Sequence, residues 1–128
     1  MSRWPHALIA VASLAGAAGV AEAAAAAHHV AGSELGISAN FLMLNAAASI
    51  AITAFARAGT RELISYLIAA TILLAGSILF CADISLRVFA SQRLFHFAAP
   101  IGGTLMIIGW LAGAVTAIGY SLRQRPEG

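Results

Sequence analysis

Charge is what this sequence has least of. Only 9% of its residues are Asp, Glu, Lys or Arg, and 61% are hydrophobic. The mean hydropathy of +0.91 excludes a soluble globular domain, whose surface needs a larger polar share. Lysine is missing altogether, so the net charge of +2 comes from seven arginines set against five acids. Those arginines lie at or between the ends of apolar runs. In a membrane protein such placement reports orientation, so the basic balance gives no reason to expect a nucleic-acid partner. A single cysteine, Cys81, excludes an intrachain disulfide and reads as a small buried residue. Alternating apolar and polar residues are also absent, which excludes a membrane β-barrel. Open sheets are excluded because lipid cannot satisfy unpaired backbone groups.

What the chain does have is length without charge. Residues 35–56, 63–82 and 94–122 carry no Asp, Glu, Lys or Arg, and neither does the run 4–21. A helix of about 20 residues crosses a hydrocarbon core of roughly 30 Å. The pattern predicts one all-α membrane domain over residues 1–128, a four-transmembrane-helix bundle with helices at 6–28, 37–57, 62–86 and 98–122. Arg3, Arg57, Arg61, Arg123 and Arg125 fall at one end of that bundle, and Arg87 and Arg93 at the other. The excess predicts both termini in the cytoplasm, N-in and C-in. The segment RVFASQRLFHF at 87–97 mixes aromatic residues with arginine and should lie along the outer interface. Arg3, the apolar stretch from Ala7 and the Ala21–Glu22–Ala23 triplet have the outline of a cleavable leader. The packing pattern of the same segment leads us to expect that it is retained.

Within that segment, the run GVAEAAAAAHH at 19–29 places Glu22 among alanines. An acidic residue at mid-membrane costs roughly 2.5 kcal/mol or more, while each Leu, Ile or Val favours insertion by about 0.3 to 0.6 kcal/mol. The first helix is therefore marginal alone and should depend on its neighbours. Small residues flank Glu22 at helical spacing, a face suited to another backbone rather than to lipid. In the second helix, Asn45 and Ser49 share a face with Ser38 and Phe41. In the third, Asp83 and Arg87 stand four residues apart, where an acid and a base can meet. Glu22, Asn45, Asp83 and Arg87 are thus candidates for one polar cluster, with His28, His29 and His96 at its rim. Two readings remain open. The cluster is a hydrogen-bonded network fixing helix register, or it handles a proton, cation or small solute. No metal site is expected at His28 and His29, because adjacent helical residues point about 100° apart.

The fourth helix reads as a packing element. Pro100 suits a first turn, and Gly102, Gly103, Gly109 and Gly113 follow, the last two forming a small-xxx-small pair. Together with Gly16 and Gly19 of the first helix they predict close helix packing. Gly102–Gly103 also has the composition of an anion-binding nest, although a helix start suited to packing is the simpler reading. Trp110 lies too deep for an interfacial belt and should meet core or a partner. The sequence holds no nucleophile–base–acid set, phosphate loop or HExxH motif, and no cofactor is expected.

The segments AGSILFCADISL at 75–86 and APIGGTLMIIGWL at 99–111 resemble the domain-of-unknown-function 423 family of small four-helix bacterial inner-membrane proteins. Pro100, Ile101, Gly102, Gly103, Gly109 and Trp110 fit its PIGG…GW stretch, Leu79 and Phe80 its LFSGS-like stretch, and GAAG at 16–19 echoes its GAFGAH-like stretch. Where the family has a histidine in the first helix, this chain has Ala21 beside Glu22. Asn45 replaces the second-helix histidine, and CAD replaces SGS, which brings in Asp83. The resemblance implies a fold and a multi-pass inner-membrane location, and little about activity. The expectation is a non-enzymatic structural or accessory protein of the bilayer, packed against itself or a larger membrane complex. A small proton, cation or solute carrier or channel component is the alternative.

Overall fold

The computed structural model describes residues 3–28, 34–59 and 63–123. They form four helices: α1 (Trp4–His28), α2 (Leu35–Ala56), α3 (Ile64–Ala90) and α4 (Ala98–Arg123). Each is long and apolar enough to cross a membrane, so the chain is an all-α, four-helix protein of multi-pass type. His29, Arg61 and Arg125, all used in the sequence reading, lie outside the described residues.

Local chemistry explains where the helices stop. Pro5 and Pro100 sit in first turns, where a missing N–H leaves no ladder bond unmade. Where α2 gives way to α3, the Leu63 N–H donates to the Ala56 carbonyl at 3.1 Å. α3 runs past the expected end at Leu86 as far as Ala90. It ends at Ser91, whose φ of 53° is left-handed. The Gln92 N–H then donates back to the Leu86 carbonyl at 3.4 Å.

α3 is the central helix. It packs against α2 on one side and α4 on the other and touches α1, which rests mainly on α2. α1 and α4 do not form a packed pair, so the arrangement is an open stack rather than a closed four-cornered bundle. The core is built largely of small and medium side chains, with Ala12, Ala46, Ala70, Leu42, Leu67 and Leu74 all buried. α2 is polar on its inner face: Ser38, Asn45, Ser49 and Thr53 are buried, while Ile37, Leu44 and Phe55 face out. That inversion suits a chain whose solvent is lipid, since unpaired polar groups belong inside and apolar side chains outside.

Most of these inner hydroxyls satisfy themselves on their own or a neighbouring helix. Thr53 Oγ1 donates to the Ser49 carbonyl at 2.7 Å, and Ser77 Oγ to the Leu73 carbonyl at 2.8 Å. Ser49 Oγ reaches across to the Ala70 carbonyl on α3 at 3.4 Å. Trp4 ties α1 to α3 by donating its indole N–H to Thr71 Oγ1 at 2.8 Å. At the same end His6 Nε2 lies 3.3 Å from the Arg57 guanidinium, and Tyr66 stacks on Tyr120 with centroids 5.9 Å apart.

Candidate functional site

The four residues expected to form one cluster occupy three places. Glu22 has its own. Its carboxylate accepts from Ser85 Oγ at 2.7 Å through Oε1 and from Ser38 Oγ at 3.0 Å through Oε2, so α1, α2 and α3 meet on one side chain. Beside it the Cys81 thiol donates to the Ser38 carbonyl at 3.1 Å. A cavity of about 330 Å³ opens next to the carboxylate, walled by Leu14, Ala18, Leu42 and Ile78. A hydroxyl can donate to a carboxylate or accept from a carboxylic acid, so Ser38 and Ser85 are able to hold Glu22 in either form.

Asp83 and Arg87 make the second site, at the end where α3 gives way to α4. Arg87 Nε lies 3.5 Å from Asp83 Oδ2, across the expected four-residue spacing. Arg87 also reaches Glu34 at the start of α2, Nη2 to Oε2, at 3.7 Å. Asp83 is 2% exposed, and its Oδ1 accepts the Leu94 N–H at 3.0 Å, which anchors the connecting segment onto α3. Asp83 and Ser85 serve different sites because two residues along a helix turn the side chain by about 200°.

Asn45 stands apart from both, and here the sequence expectation is corrected. Its side chain faces α4, where Oδ1 accepts the Trp110 indole N–H at 3.1 Å and Nδ2 donates to Met106 Sδ at 2.9 Å. One helical turn separates Ser38, which faces Glu22, from Leu42, and a second turn leads to Asn45. That rise of about 10 Å takes Asn45 out of reach of the polar end. Trp110 is 46% exposed, so its ring faces outward while its N–H points in. Phe41, expected on the polar face, lies at its edge and packs against Phe80 at 5.7 Å with planes 84° apart.

The glycines divide in the same way. A Cβ on Gly102 would fall 2.6 Å from the Phe80 nitrogen, and one on Gly109 would fall 2.8 Å from Leu73 Cα. These two are the points where α4 lies against α3. Gly19 approaches Met43 on α2 with 2.6 Å to Cγ, whereas Gly16 has only an ordinary 4.0 Å contact with Ala46. A Cβ on Gly103 or Gly113 would meet nothing within 4 Å, so neither is a point of close helix approach. The first turn of α4 begins at Ala98, so Gly102 and Gly103 belong to the helix body and form no nest.

Sequence reasoning passed over Ser85, Glu34, Met106 and Gly76. Gly76 is the α3 counterpart of Gly102: a Cβ there would lie 2.8 Å from the Gly102 carbonyl oxygen. The available signal was the small run Ala75–Gly76–Ser77 between the bulky Leu74 and Ile78. Ser85 follows Asp83 by two residues, so it could have been assigned only with the neighbouring helix in place. His28 and His96 are exposed, and His96 lies against Phe97. Among the described residues no group of three or more His, Cys, Asp or Glu is placed to hold a metal ion.

Residues 15–103 match the family described as protein of unknown function, DUF423. The chain belongs to the DUF423 family. The match takes in Glu22, Asn45, Asp83, Arg87, Gly102 and Gly103. It begins just before the GAAG stretch at 16–19 that echoes the family's first helix. It also stops short of Gly109, Gly113 and Trp110, so their role in this DUF423 protein rests on the geometry above. No curated protein and no solved structure matches the chain.

Proposed function

We propose that this DUF423 protein is a small, non-enzymatic accessory protein of the bacterial inner membrane that works by presenting helix faces to a membrane-protein partner or to further copies of itself. One observation carries this reading. α1 has two small-residue stripes on opposite sides. Leu8, Ala12, Ala15 and Gly19 are buried against the rest of the chain, while Ser13, Ala17 and Ala21 are exposed. Ser13, Ala17 and Ala21 follow one another at four-residue spacing, a repeated small-xxx-small pattern that lets a second helix approach closely in lipid. The packing within the chain does not use it. Side chains with chemical potential are occupied structurally, with the Cys81 thiol on a carbonyl and Asp83 on a backbone N–H and Arg87. This supports a role without catalysis and without a cofactor.

The test is the mass and composition of the particle released by mild detergent at natural expression level. The reading expects a particle larger than one chain, with stoichiometric partners or a fixed number of copies, and expects Ala17→Leu to shrink it without lowering the thermal midpoint. A wild-type particle containing a single chain would overturn it.

The carrier reading is favoured by a different observation, the Glu22 carboxylate exposed to a cavity among α1, α2 and α3. It expects Glu22→Gln to abolish proton or cation flux in reconstituted vesicles while the chain stays folded. Unchanged flux would count against it.

A further inference from the structure

A second cavity lies where α3 ends and α4 begins, with a volume of about 620 Å³. Arg87 and Arg93 stand on its wall beside Asp83, and Phe80, Gly103 and Ile107 are among the residues lining the rest. Its polar and apolar parts are separated by depth. A helix rises about 1.5 Å per residue, so Arg87 stands roughly 35 Å along α3 from Ile64 and Phe80 roughly 24 Å. A hydrocarbon core of about 30 Å would therefore place the guanidinium groups at headgroup level and the apolar wall among acyl chains. Phe95 and Phe97, 47% and 59% exposed, flank the polar end as residues at a bilayer interface would.

The polar end has donors to spare. Arg93 makes no ion pair among the described residues. Arg87 is held at 3.5 Å by Asp83 and 3.7 Å by Glu34, both at or beyond the limit of a hydrogen bond. A guanidinium carries five N–H donors in a fork that suits phosphate oxygens. The start of α4, at Ala98 and Ala99 on the same wall, adds the positive end of a helix dipole. Asp83 lines the same cavity, and its negative charge is offset by Arg87 at 3.5 Å, so Arg93 leaves the polar end with a net positive charge.

We propose that this cavity binds a membrane glycerophospholipid, its phosphodiester held by Arg87 and Arg93 and one acyl chain lying along Phe80, Gly103 and Ile107. The charge of the polar end matches the phosphate, and the apolar wall directly below it matches the chain, an order that a free anion would not require. The site is separate from the outward α1 stripe and does not depend on the accessory role.

The test uses the full-length protein, delipidated in a neutral detergent, with bound lipid counted by native mass spectrometry during titration with phosphatidylglycerol. One molecule per chain should be retained above the background seen with diacylglycerol, which has the acyl chains but lacks the phosphate. Arg93→Gln should weaken retention roughly tenfold, the loss expected for one charge-assisted contact, and Arg93→Lys should recover part of it. Gly103→Leu should block the cavity without disturbing the fold, since a Cβ there meets nothing within 4 Å. Arg123→Gln, at the opposite end, is the control and should change nothing. Equal retention of diacylglycerol, or phosphatidylglycerol binding unaffected by both Arg93→Gln and Gly103→Leu, would overturn the site. Displacement of the lipid by inorganic phosphate alone would overturn the assignment to a lipid in favour of a free anion.

Discussion

Gly76, Gly102 and Gly109 are the residues least able to change. An added Cβ at any of them would come within 3.0 Å of backbone on the facing helix, and backbone cannot move aside as a side chain can. Alanine at each should cost about 1 to 3 kcal/mol, the range for overpacking a tight contact. Gly103→Ala and Gly113→Ala, in open space, should stay within about 0.5 kcal/mol of the parent. Denaturant titration of the five variants in one detergent checks the contrast, and equal losses in all five would refute it. Gly19→Ala should fall between, because its closest neighbour is the flexible Met43 side chain. Ser91 offers the reverse case. Its φ of 53° is a left-handed conformation that costs a residue with a side chain about 1 kcal/mol and glycine almost nothing. Ser91→Gly should therefore raise stability by up to about 1 kcal/mol, read as a higher thermal midpoint.

Between elements, the bond from Trp110 to Asn45 joins α4 to the middle of α2 across the edge of α3. Hydrogen bonds between membrane helices are worth about 0.6 kcal/mol on average and up to about 1.7. A double-mutant cycle with Asn45→Ala and Trp110→Phe should return a coupling of about 0.5 to 1.5 kcal/mol, and none at all would mean that the two side chains act independently. The connection from α3 to α4 depends on Asp83 in a similar way. Asp83→Ala removes the acceptor for the Leu94 N–H, so amide exchange over residues 91–97 should quicken while the helices keep their protection. Uniform loss of protection would instead mean that Asp83 holds the whole stack together.

Across the whole molecule, the open order of packing decides which faces remain for lipid or a partner. Much of α1 and α4 lies on the outside, and Leu14, Val20, Leu111, Val115 and Ile118 are all more than half exposed. Orientation follows from charge rather than from packing. Along the sequence, Arg3, Arg57, Arg61, Arg123 and Arg125 flank the apolar runs on one side and Arg87 and Arg93 on the other, which predicts that both termini are cytoplasmic. A fluorescent protein fused after Gly128 should glow and an alkaline phosphatase fused there should be inactive, and the opposite pair of results would reverse the topology.

The existence, number and approximate limits of the helices were legible in the sequence, because a bilayer leaves few choices to a charge-free run of twenty residues or more. The Asp83–Arg87 pair was legible too, since both partners sit on one helix with a fixed four-residue spacing. What could not be read was anything that depends on the rotation of one helix against another. Ser85 joins Glu22, Asn45 turns to Trp110, and Gly109 rather than Gly113 meets α3, each according to which face a helix presents to its neighbours. In a chain this rich in alanine, small side chains allow many such rotations at similar hydropathy. Only the tertiary packing, through close backbone approach and the pairing of a few buried polar groups, selects among them.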